Sequence, residues 1–105
     1  MAAEKRPTGS GGTPVRAPGL PEIRAAAKRL NGVVVRTPLV PLHSFETTSD
    51  ILLKPETLQP VGSYKLRGAY NWAASLSEGE RARGFSTHSA GNTAQALGYV
   101  ARLFN

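Results

Sequence analysis

The stretch "KPETLQPVGSYKLRGAYNWAA", residues 54–74, places Lys65 in the first turn of a predicted helix, directly after Gly62 and Ser63. The helix is predicted because apolar residues recur at i, i+3, i+4 and i+7, namely Leu66, Ala69, Tyr70 and Ala73. Ser63 is predicted to cap its N-terminus. A helix N-terminus disfavours an ammonium group, and the free amine is the form that attacks an aldehyde. The position therefore favours Schiff-base chemistry at Lys65. The alternative is a surface lysine whose ammonium stays in water.

A second segment, "STHSAGNTAQALG" at residues 86–98, combines a tight turn with a helix predicted to begin at Asn92. The free N–H groups of such a helix, together with the side chains of Ser89, Asn92 and Thr93, suit a carboxylate. A plain capped turn, in which Ser89 or Asn92 satisfies the first N–H groups, is the alternative.

The order of predicted elements indicates an α/β fold with a parallel sheet. Helices are predicted from Pro21 to Asn31-Gly32, from Lys65, from the capping box "SEGE" (77–80) to Gly84, and from Asn92. A buried strand is predicted at 51–53 and a short strand at 85–89, while the prolines of "GVVVRTPLVPL" (32–42) predict an edge strand or an extended connection. The segments at 54–74 and 86–98 both lie where a predicted strand ends and a helix begins. In a parallel sheet they are therefore expected to open on the same edge.

Composition sets the remaining expectations. The chain of 105 residues allows one domain, preceded by a disordered leader at residues 1–19 that is rich in Gly, Pro, Ser and Thr. The net charge of +6 is spread over solvated faces, which argues against a nucleic-acid partner. The sequence has no apolar run of membrane-spanning length and no secretory signal, so no membrane partner and a cytoplasmic location are expected. Without cysteines, and with its two histidines far apart, the sequence predicts no metal site.

Three stretches, "KPETLQPVGSYKLRGA", "SAGNTAQA" and "RTPL" (36–39), resemble pyridoxal-phosphate enzymes of the tryptophan-synthase-β fold type. Within that family the sequence is most similar to threonine/serine dehydratases, from about residue 20 to the end. The resemblance implies that residues 20–105 are the N-terminal part of a catalytic domain. The fold would be a partial three-layer parallel-sheet fold, truncated after the substrate-loop helix, of a homo-oligomeric lyase acting on a small amino acid.

The resemblance also implies roles for individual residues. Lys65 would hold pyridoxal phosphate as a Schiff base and then remove the α-proton of the substrate. Tyr64, where the family commonly has phenylalanine, would pack beside the cofactor ring, and Asn92 would bond the phenolic oxygen of the cofactor. The substrate carboxylate would be held by Ser63 and by the turn formed by Ser89, Ala90, Gly91, Asn92 and Thr93. β-Elimination of water from L-threonine or L-serine would then give a 2-oxo acid and ammonia.

Departures from the family pattern leave alternatives open. Thr93 stands where many dehydratases have histidine and where cysteine synthases have threonine, so a β-replacement synthase of the same fold is the runner-up. Ala90 replaces the serine of serine racemases, which disfavours racemisation. The family's glycine-rich phosphate loop and its partner for the pyridine nitrogen are not found in the sequence. The chain is therefore expected to be an inactive fragment, or a non-catalytic binding module.

Overall fold

The computed structural model describes residues 16–43 and 49–104, which contain four α-helices and a pair of short strands. In chain order the elements are α1 (Leu20–Leu30), β1 (Val40–Pro41), β2 (Leu52–Leu53), a 3-10 turn (Glu56–Leu58), α2 (Lys65–Ser75), α3 (Glu78–Ala82) and α4 (Asn92–Leu103). In these two ranges no helix has the length and apolar character needed to cross a bilayer. The leader predicted at residues 1–19 lies outside the described residues as far as residue 15.

Helices α1 and α3 begin and end as the sequence predicts. Pro21 lies in the first turn of α1, and Gly32, just after its end, has φ +78°. The Ser77 hydroxyl accepts a hydrogen bond from the Glu80 N–H, and the Glu80 carboxylate accepts one from the Ser77 N–H at 2.8 Å. Gly84 follows α3 with φ +81°, a left-handed conformation that favours glycine. The predicted capping box of α3 and the predicted glycines after α1 and α3 are confirmed. Such signals can be read from the sequence because they depend on residues only a few positions apart.

Packing of α2 against α4 forms the core and sets the start of one helix near the start of the other. Leu66 and Ala73 of α2 and Val100 of α4 are completely buried in one cluster. Tyr70 stacks on Phe104 at the far end, with ring centroids 5.3 Å apart. The predicted apolar spacing of α2 is confirmed, and it determines which face of this helix turns away from the core.

The strands differ from the sequence-based expectation. β1 pairs with β2 in antiparallel register, Val40 opposite Leu53 and Pro41 opposite Leu52, and all four side chains are exposed. The prediction of a buried strand at residues 51–53 is wrong in this respect, because nothing in the described part of the chain covers them. No strand forms at 85–89, since no described backbone segment pairs with it. The architecture of the described residues is thus mixed α/β with a small sheet.

Candidate active site

Lys65 lies in the first turn of α2, as the sequence predicts, but Ser63 does not cap this helix. The N-cap position is Tyr64, whose side chain makes no capping hydrogen bond. Ser63 is 6% exposed, and its Oγ has no hydrogen-bond partner among the residues described. The half-buried Lys65 places its Nζ 5.0 Å from the centroid of the Tyr64 ring. The helix start therefore presents an amine beside an aromatic face, with an unpaired hydroxyl just before it.

Lys65 lines a cleft of about 410 Å³ between α2, the segment at residues 86–87 and the first turns of α4. Lys65 and Thr93 both line this cleft, so it joins the two segments that the sequence singled out. The rest of its wall consists of small or apolar residues and of three residues with a hydroxyl group. The first group is Gly68, Ala69, Trp72 and Leu97, and the second is Tyr64, Ser86 and Thr87. An amine set against apolar walls suits a flat organic ligand with few polar contacts.

A neighbouring cleft of about 440 Å³ is lined by two more of the predicted site residues. Ser63 and Asn92 both line it, together with Tyr64, which thus borders both clefts. The two segments therefore line two clefts that share Tyr64. This convergence was expected from a parallel sheet, yet here it results from the packing of α2 on α4.

The turn before α4 is only partly brought to the site. Ser89, Ala90 and Gly91 line neither cleft, and the Ser89 Oγ accepts a hydrogen bond from the Gly91 N–H at 3.2 Å. Gly91 is the N-cap residue of α4 and has no side chain to cap it. The Ser89 hydroxyl is thus used inside the turn, while Asn92 and Thr93 are the residues of the predicted turn at 89–93 that line the clefts.

The sequence analysis missed the side chain that holds the lysine segment in place, Glu56. Its Oε2 accepts a hydrogen bond from Arg67 Nε at 2.7 Å, and its Oε1 accepts one from Arg67 Nη2 at 2.8 Å. The Thr37 hydroxyl donates to Oε1 at 2.7 Å, and the Gln59 amide donates to Oε2 at 3.3 Å. These residues all lie within the quoted stretches, but sequence spacing does not reveal which side chains of separate segments meet.

Electrostatics distinguish this group from an ordinary surface ion pair. The hydrogen bonds from Arg67 lower the pKa of Glu56 to about 2, against the opposing effect of burial and with further help from Thr37. The same contact raises the pKa of Arg67 above its usual value. Bidentate pairing of a guanidinium with a carboxylate is both strong and directional. The carboxylate is therefore ionised, and its geometry is fixed, at any pH near neutrality.

A lysine amine beside an aromatic ring and a polar helix start is an arrangement that suits an aldehyde cofactor. A family model described as "Pyridoxal-phosphate dependent enzyme" matches residues 30–105. The chain belongs to this family, whose members depend on pyridoxal phosphate.

Individual relatives narrow the comparison. An L-threonine ammonia-lyase of Thermotoga maritima is 47% identical over 87 residues, which cover 81% of this chain and 22% of the relative. The biosynthetic L-threonine dehydratase of Mycobacterium tuberculosis is 48% identical over 83 residues, covering 77% of this chain and 19% of the relative. A serine racemase of Dictyostelium discoideum is 37% identical over 86 residues, with 80% and 26% covered. The chain thus spans about a fifth to a quarter of the length of these curated relatives.

The residues present fit the ring and the aldehyde of pyridoxal phosphate. The cleft of about 410 Å³ lies within the range usual for small-molecule sites, and Lys65 supplies the amine that an aldehyde needs. Buried polar groups in proteins are nearly always hydrogen-bonded, so the unpaired Ser63 hydroxyl is an acceptor or donor left for a further partner. These side chains would hold the reactive end of the cofactor.

Proposed function

We propose that this chain carries the cofactor-binding lysine and the substrate loop of a pyridoxal-phosphate-dependent ammonia-lyase. Its substrate would be L-threonine or L-serine. One observation carries the proposal: Lys65 and Thr93 line one cleft, Ser63 and Asn92 line the next, and Tyr64 borders both. The similarity to proteins named threonine ammonia-lyase and threonine dehydratase supports the choice of reaction.

The roles of the side chains follow from their chemistry. Pyridoxal phosphate, when bound, supplies an electron sink that makes the α-proton of an amino acid removable. Lys65 would hold the cofactor through Nζ and, once replaced there by the substrate amine, would accept the α-proton on the same nitrogen. Tyr64 would cover one side of the ring, and the Asn92 amide would donate to the phenolic oxygen. We assign the substrate carboxylate to the Ser63 hydroxyl and to the turn at residues 89–93.

The net reaction then balances without another reactant. The proton from Cα and the hydroxyl from Cβ leave together as water, and one water returns when the carbon–nitrogen bond is hydrolysed. The products are a 2-oxo acid and ammonia. On the protein side, Lys65 would shuttle one proton, from Cα to the leaving hydroxyl.

A β-replacement synthase of the same fold is the second candidate, and Thr93 favours it. This residue lines the lysine cleft, where many dehydratases have histidine by the resemblance given above. The two candidates are separated by supplying O-acetylserine with a thiol: a thioether or thiol amino acid as product favours replacement, and ammonia release from L-threonine favours elimination.

We further propose that residues 20–105 form the N-terminal part of a catalytic domain with the three-layer parallel sheet of the tryptophan-synthase-β fold, after a leader at 1–19. The match of the family model over residues 30–105 supports this assignment. The proposal includes a cytoplasmic homo-oligomer as the working form, for which the support is the family resemblance.

Reductive labelling tests the proposed function. The chain is incubated with pyridoxal phosphate, reduced with borohydride and digested, and the modified lysines are located by peptide mass spectrometry. We expect Lys65 to carry most of the label and Lys65→Ala to lose it, while Lys28→Ala, at an exposed position of α1, labels like the native chain. Ammonia release from L-threonine is measured in parallel. Label spread evenly over the lysines would contradict the assignment of Lys65.

A further inference from the structure

The side chains around Glu56 join three separate segments of the chain. We call Thr37, Glu56, Gln59 and Arg67 the Glu56 clamp. Besides its contact with Glu56, Gln59 exchanges two hydrogen bonds with the Val35 backbone, from its Nε2 to the carbonyl at 2.8 Å and to its Oε1 from the N–H at 2.9 Å. Gln59 is 3% exposed and Thr37 is 4% exposed. The clamp therefore fastens the extended segment at residues 35–37 and the turn at 56–59 to the first turn of α2.

The clamp closes a loop that contains the lysine. Glu56 and Arg67 are joined by two hydrogen bonds, and the chain between them includes Ser63, Tyr64 and Lys65. A turn within this loop is tightened by the bond from the Gly62 N–H to the Gln59 carbonyl at 2.7 Å. The Glu56 carboxylate thus contacts Gln59, which precedes the lysine, and Arg67, which follows it.

Helix geometry makes this closure relevant to the amine. Each residue of an α-helix turns by about 100°, so Lys65 and Arg67 leave α2 about 200° apart, on opposite sides. Arg67 points to Glu56 and to the Val35 carbonyl, while Lys65 lines the cleft with Thr93. Fixing one side of the first turn fixes the rotation of the helix about its axis, and hence the direction in which Lys65 leaves it.

We propose that the Glu56 clamp is a positioning group for Lys65, which sets the rotation of the first turn of α2 so that the amine enters the cleft shared with α4. This inference rests on the proposed function, because it gives Lys65 a role that requires a defined position. A clamp that only added stability could have paired Glu56 with any helix face. Pairing with the residue opposite the lysine is what a positioning role requires.

Lysine reactivity in the whole 105-residue chain tests the clamp. Glu56→Gln keeps the size of the side chain but removes its charge, and Thr37→Val removes a single hydrogen bond. Glu80→Gln is the control, since it alters a carboxylate in the capping box of α3, away from the clamp. Each variant is labelled twice, with pyridoxal phosphate and borohydride and with acetic anhydride, a small reagent that needs no cofactor site. Circular dichroism sets a temperature at which the variant is folded.

The expected result is a change at Lys65 relative to the exposed Lys28. In Glu56→Gln the ratio of pyridoxal label at Lys65 to that at Lys28 falls about tenfold or more, as small misplacements of reacting groups do. Acetylation of Lys65 rises towards that of Lys28, because the amine is released from its half-buried place beside Tyr64. Thr37→Val shifts both ratios in the same direction by less, and Glu80→Gln leaves them unchanged.

Two outcomes would overturn the positioning role. One is a folded Glu56→Gln chain with both labelling ratios of the native protein. If Glu56→Gln does not fold, native ratios in a folded Thr37→Val chain decide against the clamp equally. A native chain in which pyridoxal phosphate does not prefer Lys65 counts against the proposed function instead, and the acetylation ratios still test the clamp by themselves.

Discussion

The ionised carboxylate of Glu56 makes the stability of this chain depend on acid in a defined pH range. Its pKa is held at about 2 in the folded state, compared with 4.5 for the free group. A lowered pKa means that the folded state prefers the charged form, so the contribution is complete above pH 4.5 and is lost as the pH falls towards 2. We therefore expect the free energy of unfolding to decrease as the pH is lowered from 4.5 to about 2. We do not expect this decrease between neutral pH and pH 5.

The size of the effect follows from the same two values. The interval between 4.5 and about 2 corresponds to about 3 kcal/mol of differential interaction with the ionised carboxylate. The Glu56 side chain is only 17% exposed, but that of Arg67 is 32% exposed, so screening by water makes this an upper value. A loss of about 3 kcal/mol is large beside the marginal stability of a small chain. The midpoint of urea unfolding, followed by circular dichroism at a series of pH values, measures it.

Glu56→Gln is the variant that isolates this carboxylate. Glu22 and Glu80 also have lowered pKa values, from their contacts with Arg16 and Ser77, so part of any acid effect belongs to them. The variant retains those contributions and lacks that of Glu56, so its stability should fall less steeply below pH 4.5 than that of the native chain. Parallel losses in the two proteins would refute the assignment of the acid sensitivity to Glu56.

Further predictions concern the elements that carry the site, and urea unfolding measures each of the changes in stability. Leu66→Ala, in the completely buried cluster between α2 and α4, should cost about 2–5 kcal/mol; a loss well below that range would contradict its place in the core. Gly62→Ala should cost about 1–2 kcal/mol because its φ is +68°. Gly98→Ala, in helix α4 with equally open surroundings, should stabilise by about 0.5–1 kcal/mol; shifts of the same sign in the two glycine variants would disprove the conformational reason. Ser77→Ala should cost about 1 kcal/mol and speed hydrogen exchange at the Glu80 amide, while unchanged exchange would show that the cap contributes nothing.

The helices could be predicted from the sequence because their signals are local. Pro21 and Gly32 delimit α1, and Ser77 with Glu80 opens α3, each within a few residues of the position it controls. The strands could not be predicted in the same way. A strand exists only where a second backbone segment pairs with it, and residues 85–89 have no such partner in the part of the chain that the structure describes. Their apolar and β-branched residues carry no information about that partner.

The same distinction separates the predicted and the missed parts of the site. Lys65 and Asn92 were identified because each begins a helix after a tight turn, which is a local pattern. Glu56 was missed because its role depends on Arg67 and Thr37, which lie 11 and 19 residues away along the chain. The wrong assignment of Ser63 as a cap has a similar cause. Serine favours the N-cap position, but the fold starts α2 one residue later than that preference requires.

No contact within the described residues accounts for a serine at position 63. Its hydroxyl is buried and unpaired in the described residues, and an unsatisfied buried hydroxyl costs about 1–3 kcal/mol. Alanine at this position would avoid that cost without losing any contact that the structure records. A polar group that lowers local stability is expected where its partner is a ligand and not another part of the protein. Because Ser63 lines the cleft that contains Asn92 and lies two residues before Lys65, its unpaired hydroxyl favours a binding site at the start of α2 over an accidental resemblance to one.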